Sequence, residues 1–219
     1  MRSIVLPWSP RSPLVGIVGC AALIYVAVAH HARTFFEVGN SAQPVHMSAG
    51  DAGPMVLAIV WVVVNSPRLY DAEALGQPRV VVLAAFHACL ATLVPMGAYF
   101  AIREGLRVGP EHLRFYEPFS DVNNILVAAF LAIILVGIGG QLAGSIAWVL
   151  AIFGDLYIQG SYPAVADYLP LTGHRMAHHL SIEGVNWPWL SVLLGGALLV
   201  VFYRRSLPVA VLRGDRGGA

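Results

Sequence analysis

Residues 125–153 read ILVAAFLAIILVGIGGQLAGSIAWVLAIF, a run of 29 residues with no charged side chain. As a single α-helix this run would be about 44 Å long, well beyond the roughly 30 Å of a bilayer's hydrocarbon core. Gly139 and Gly140 lie near its middle, and glycine is a poor residue for a helix interior. The run therefore predicts two membrane-crossing helices that meet at the glycine pair, with one long helix as the alternative.

The whole chain shares this apolar composition. Of its 219 residues, 58% are hydrophobic and 11% are charged, with a mean hydropathy of +0.71. An ordinary soluble domain carries about 25% charged residues. A water-soluble fold cannot bury so much apolar surface, so the sequence predicts an all-α, polytopic membrane helix bundle that forms a single domain over residues 1–219.

Six transmembrane helices fit the apolar stretches, and five are the alternative. They are expected near residues 14–32, 52–66, 80–102, 121–138, 140–157 and 187–204. An even number of spans places both chain termini on one face of the membrane. The last 16 residues contain four arginines, which the positive-inside rule places in the cytoplasm. The sequence thus predicts a multi-pass protein of the cell membrane with cytoplasmic N- and C-termini.

The loop at 66–79 carries its own helix signals. Ser66 suits an N-cap and Pro67 suits the first helical position, while Gly76 and Pro78 are typical of a helix end. About two turns of helix fit between them. We expect this short helix to lie outside the bilayer on the cytoplasmic face.

Three histidines in the segment before the last span, His174, His178 and His179, form an H-x3-H-H pattern. Membrane di-iron enzymes use similar histidine boxes, but such sites need several clusters to supply enough nitrogen ligands. The other histidine pair, His30 and His31, has no matching partners. We therefore expect a polar loop without a metal, and a histidine-rich membrane metalloenzyme remains an alternative.

Other polar or reactive residues lie inside predicted spans. His87 is ionisable, so it must face protein or water and not lipid. Pro95 predicts a kink in the same helix, since proline removes one backbone hydrogen bond. Cys20 and Cys89 are expected to be small buried apolar residues and not a disulfide or a metal pair.

Several kinds of chemistry are excluded by missing motifs. The chain has no lysine, so it cannot contain a phosphate-binding G-x4-G-K-[S/T] loop, and it has no G-x-G-x-x-G. It also lacks a G-x-S-x-G elbow, an H-E-x-x-H helix and basic patches with interleaved aromatics. We expect no ATP binding through such a loop and no nucleic-acid partner.

The order of these features is similar to that of permease subunits of ATP-binding-cassette transporters, in the six-span drug-export class of high-GC Gram-positive bacteria. The resemblance covers most of the chain. It rests on Asp71 and Glu73 in the short loop helix, Arg79 at the start of the third span, the polar entry Asp121–Asn124, the Gly139–Gly140 hairpin, Trp148, Trp187 and the basic tail.

This resemblance implies a partner and the residues that contact it. The loop at 66–79 would be a coupling loop that fits a separate cytosolic ATPase subunit. Its contact residues would be Arg68, Leu69, Tyr70, Asp71 and Glu73. The segment at 157–186 would be an outer loop or re-entrant element over the exit path.

The resemblance also implies a transport function for a substrate that the sequence does not identify, in a subunit that is not itself an enzyme and holds no cofactor. The permease would lie in membrane lipid and pair with a second copy of itself or with a related permease. A non-catalytic accessory subunit of a larger membrane complex is the other alternative to the metalloenzyme.

Overall fold

A computed structural model describes residue 19 and residues 35–38, 45–65, 78–107, 118–166, 168–172 and 185–203. Within these ranges the chain is predominantly helical, as the composition predicts. The helices are α1 Ala49–Asn65, α2 Pro78–Arg107, α3 Pro118–Ser161, α4 Pro163–Ala166 and α5 Trp187–Tyr203.

A two-stranded ribbon precedes the first described helix. Strands β1 (Phe35–Val38) and β2 (Val45–Ser48) pair antiparallel, with Phe35 opposite Ser48. The sequence predicts helices only, so this ribbon differs from the prediction. Each strand has only four residues, too few for a reliable period-2 pattern, although aromatic and β-branched residues favour a strand.

Helix α3 is a helical hairpin. Gly140 has φ 76° and ψ −177°, a conformation that interrupts the helix and that glycine adopts without strain. Trp148 Nε1 donates to the carbonyl of Ala128 at 2.8 Å, yet a straight helix would separate these residues by about 30 Å. The first arm (118–139) and the second arm (141–161) therefore lie antiparallel, and the break falls at the predicted glycine pair.

The two arms of the hairpin pack closely beside the turn. A Cβ atom on Gly144 would lie 2.5 Å from both the carbonyl oxygen of Leu135 and the Cα of Val136. Glycine is therefore required there, because a larger residue would overlap main-chain atoms. Each arm is about 32 Å long at 1.5 Å per residue, close to the thickness of a hydrocarbon core.

The first arm of α3 is the central element of the bundle. Helices α1, α2 and α5 all contact α3. Several small side chains on the first arm have no exposed surface, among them Ala128, Ala129 and Ala132. Farther along it, a Cβ on Gly137 would overlap a methyl group of Val200 on α5. Small residues allow this close approach of helices, as is common inside membranes.

Two stretches of the described chain are long and apolar enough to cross a membrane. They are Ala85–Glu104 in α2 and Asp121–Ser161, which contains both arms of α3. Ala52–Val64 and Trp187–Phe202 are apolar but shorter. The first predicted span, 14–32, lies outside the described residues except for Gly19. The count of six crossings therefore stays a prediction.

Candidate functional site

Five consecutive main-chain carbonyls at one end of the bundle each accept a hydrogen bond from a different side chain. They belong to residues 168–172, which we name the carbonyl segment. The donors, in the order of the carbonyls from 168 to 172, are Trp189 Nε1 (2.8 Å), Asn186 Nδ2 (3.0 Å), Asn123 Nδ2 (3.1 Å), Gln159 Nε2 (2.7 Å) and Asn124 Nδ2 (2.9 Å). These bonds replace those that a helix or a sheet would supply to the backbone.

The five donors come from three helix ends. Asn123 and Asn124 lie in the first turns of the first arm of α3, and Gln159 lies in the last turn of the second arm. Asn186 directly precedes α5, and Trp189 lies in its first turn. Since the hairpin brings both ends of α3 to the same side, the carbonyl segment ties these three helix ends together.

The asparagines also accept hydrogen bonds. Asn123 Oδ1 accepts from the amide of Asn186 at 2.9 Å, and Asn124 Oδ1 accepts from the amide of Thr172 at 2.7 Å. Asn186 Oδ1 accepts from the amide of Trp189 at 3.4 Å, the position of a helix N-cap. A side-chain amide both donates and accepts, whereas a carboxylate only accepts, so asparagine suits these sites.

Burial makes these bonds necessary. Asn123 is 0% exposed and Asn186 is 1% exposed. A buried polar group without a partner costs about 1–3 kcal/mol, so each bond in the network stabilises the folded end of the bundle.

Two carboxyl groups lie in the same polar region. Asp121 is buried, and its Oδ2 accepts from the hydroxyl of Tyr99 on α2 at 2.7 Å. Asp155 is also buried, and its Oδ2 accepts from Gln159 Nε2 at 2.9 Å. Asp155 Oδ1 has no hydrogen-bond partner in the described part of the chain. The site therefore combines neutral side-chain amides, main-chain carbonyls and two carboxyl groups. Such groups can bind a ligand and fix its orientation.

The opposite end of the bundle carries fewer polar contacts between elements. Next to the Gly140 turn, Gln141 Nε2 donates to the carbonyl of Val63 in α1 at 2.8 Å. This bond links the last turn of α1 to the turn of the hairpin.

The residues predicted to contact a partner are not tested by this geometry. Arg68, Leu69, Tyr70, Asp71 and Glu73 lie outside the described residues. The histidines at 174, 178 and 179 also lie outside them. Among the residues that the structure does describe, no group of three or more His, Cys, Asp or Glu side chains is placed to hold a metal ion.

Part of the polar site was visible in the sequence. The resemblance includes the polar entry Asp121–Asn124, and Asn123 and Asn124 do belong to the network, with Asp121 beside it. The roles of Asp155, Gln159 and Asn186 were missed. The available signal was the pair of polar residues four apart, Asp155 and Gln159, at the end of an otherwise apolar run, because that spacing places both on one helix face.

Among the residues inside α2 with a predicted position, one is half-buried and one, predicted to be buried, is exposed. His87 is half-buried on α2, with its ring 5.9 Å from that of Phe86. Cys89 is exposed, so the prediction of a buried cysteine is wrong. Phe86 and Leu93 are exposed on the same helix face, at 52% and 61%. Since α2 is apolar on its outer face too, an apolar neighbourhood in sequence does not show which residues point inward.

Comparison of the chain with protein-family models, with curated proteins and with solved structures found no match. Its function is therefore inferred from its own residues and their geometry.

Proposed function

We propose that the chain is a membrane-spanning permease subunit of an ATP-binding-cassette transporter, driven by an ATPase on a separate chain. The observation that carries the proposal is the carbonyl segment, a non-helical stretch held by side chains at the end of an apolar helix bundle. Non-helical backbone at membrane depth is tolerated where protein buries it or where it lines a water-filled cavity. Transporters use such elements beside the path of the substrate.

The outer surface of the helices supports insertion in lipid. In an 18-residue window of the spanning stretch, only 28% of α2 and 39% of α3 are buried within the chain, whereas the core helix of a soluble protein is mostly buried. Large apolar side chains face outward on the second arm and on α5, including Leu150 at 67% and Val192 at 67%. A monomeric soluble protein rarely exposes so much contiguous apolar surface.

The proposed topology has six crossings. Helices α1, α2 and α5 and the two arms of α3 supply five, and the apolar stretch at 14–32 supplies the first. Helices α1 and α5 have 17 residues each, about 26 Å, so they require some local thinning of the bilayer. With the arginine-rich tail inside, the Gly140 turn faces the cytoplasm and the carbonyl segment faces the outside.

This topology places the predicted coupling loop and the carbonyl segment at opposite ends of the same helices. The loop at 66–79 joins α1 to α2. A displacement of this loop can reach α3 through two hydrogen bonds. One joins Gln141 to Val63 near the inner end, and the other joins Tyr99 to Asp121 near the outer end. Asp121 is two residues from Asn123, which holds the carbonyl segment. Helices moving as rigid bodies can therefore transmit a cytoplasmic displacement to the outer end.

The proposal is tested by purifying the tagged chain from native membranes in mild detergent. An ATPase subunit is expected to co-purify, and its hydrolysis rate in proteoliposomes is expected to depend on this chain. The double variant Leu69→Asp with Tyr70→Ala is expected to lose that dependence, while Gln77→Ala, just beyond the predicted loop helix, is expected to retain it. The permease function is excluded if no ATPase co-purifies under conditions that keep the chain folded.

A further inference from the structure

We infer that Asp155 and the carbonyl segment form a binding site for a monovalent cation. The inference does not depend on an ATPase partner. It follows from an incompletely satisfied buried carboxyl group, the oxygen atoms beside it and the electrostatics of a helix end.

The carboxyl group of Asp155 is satisfied on one side only. The residue is 8% exposed, Gln159 Nε2 donates to its Oδ2 at 2.9 Å, and the main-chain N–H of Leu171 also donates to the carboxyl group. Its Oδ1 is buried without a hydrogen bond in the described part of the chain. A buried carboxylate is costly unless an opposite charge or further hydrogen bonds compensate it, and two neutral donors supply only part of that compensation. Asp155 Oδ1 can therefore serve as a ligand for a cation.

One further oxygen ligand lies next to this carboxyl group. Gln159 Nε2 bonds both to Asp155 Oδ2 and, at 2.7 Å, to the carbonyl oxygen of Leu171, so the two oxygens are neighbours around one nitrogen. A carbonyl oxygen carries two lone pairs, and the bond from Gln159 uses one of them. The remaining lone pair of Leu171 O can face a cation that also touches the carboxyl group.

The position of Asp155 on its helix favours positive charge. Asp155 and Gln159 lie in the last two turns of α3, which ends at Ser161. The C-terminal end of a helix carries partial negative charge and stabilises a cation nearby. Unwound backbone carbonyls and helix C-terminal ends together coordinate Na⁺ in membrane transporters.

The number of available carboxyl groups points to a monovalent ion. Calcium sites assemble six to eight oxygens and usually several carboxylates. The other buried carboxyl group of the region, Asp121, already accepts the hydroxyl hydrogen of Tyr99. The amide donors that surround the carbonyl segment are all neutral. One carboxylate with neutral oxygens matches a single positive charge, and an ion held there would bind the second arm of α3 to the carbonyl segment.

The direct test uses the full-length protein in lipid nanodiscs, exchanged into N-methylglucamine chloride. Titration with NaCl or KCl in a calorimeter is expected to give a saturable signal for at least one of the two ions, and Tm is expected to rise with the concentration of that ion. Further N-methylglucamine chloride, which controls for ionic strength, is expected to give no saturable signal. If neither Na⁺ nor K⁺ gives one, the inference is wrong.

Two variants locate the site. Asp155→Asn keeps the size of the side chain, removes its charge and is expected to abolish the saturable response. Glu104→Gln, the matched change at an exposed carboxyl group on α2, is expected to retain it. A folded Asp155→Asn protein that still binds the ion overturns the assignment. A response to pH alone that depends on Asp155, without any response to Na⁺ or K⁺, also overturns it, because the site then takes a proton.

A third variant decides the matter if Asp155→Asn does not fold. Asp155→Glu keeps the charge but moves the carboxyl oxygens by one methylene group. It is expected to lower the affinity for the ion at least tenfold, and an unchanged affinity contradicts a site built around Asp155.

Discussion

The two ends of the helix bundle are closed in different ways. At the Gly140 turn, the chain reverses through one residue with positive φ, and the arms touch because Gly144 has no side chain. At the other end, side-chain amides from three helix ends hold the carbonyl segment. The first closure is continuous main chain. The second consists of side-chain hydrogen bonds between residues up to 63 positions apart.

The largest effect on stability is expected from Asn123→Ala. It removes the bond to Pro170 O and leaves the amide of Asn186 without its acceptor, both in a buried region. Two unsatisfied groups of this kind predict a loss of about 2–4 kcal/mol. Unfolding in mixed micelles with a denaturing detergent measures the change, and Leu142→Ala on the exposed surface is the control. A loss under about 0.5 kcal/mol would mean that the network does not hold this end.

A somewhat smaller effect is expected from Gly144→Ala at the opposite end. The new Cβ would lie 2.5 Å from main-chain atoms of Leu135 and Val136, which cannot move aside as a flexible side chain can. Overpacking of this kind predicts a loss of about 1–3 kcal/mol in the same unfolding assay.

Gly154→Ala is the matched control for that substitution. Gly154 lies on the same arm, and a Cβ there meets no atom within 4 Å. Alanine is the better helix residue, so this variant is expected to gain about 0.5–1 kcal/mol. Equal losses at Gly144 and Gly154 would contradict the close contact of the two arms.

Gln141→Leu tests the polar bond at the turn. The substitution keeps most of the side-chain volume and removes the donor to Val63 O. A loss of about 0.5–1.5 kcal/mol is expected, less than for Asn123→Ala, because only one partner is left behind. If the two variants lose the same stability, the polar network does not hold its end of the bundle more strongly than the single bond holds the turn.

The smallest effect is expected from Cys89→Ala. The side chain is exposed on α2 and touches no polar network, so stability is expected to change by no more than about 0.5 kcal/mol. A larger loss would place this face of α2 against another part of the protein. The variant also supplies part of a cysteine-free background for accessibility labelling.

The features that the sequence predicts depend on residues close together in the chain. The contacts that it does not reveal join residues far apart in the chain. The glycine pair marks the hairpin because a single residue type produces the break. The network depends on Asn123 meeting both Pro170 and Asn186, and neither contact leaves a periodic pattern in the chain. Burial in α2 was also misjudged, since an apolar run surrounded by lipid has no polar face to reveal its orientation. The coupling residues at 68–73 stay a prediction.

The central claim is that the two ends of the bundle lie on opposite sides of a membrane, and cysteine labelling in intact cells tests it most directly. With Cys20 and Cys89 replaced by alanine, single cysteines are introduced at Tyr168 and at Leu142, whose side chains are 66% and 77% exposed. The carbonyl of residue 168 keeps its bond to Trp189, since that bond involves the main chain.

A membrane-impermeant maleimide is expected to label Tyr168→Cys in intact cells and Leu142→Cys only after the membrane is opened. Labelling of both cysteines in intact cells, or of Leu142→Cys alone, would contradict the proposed topology.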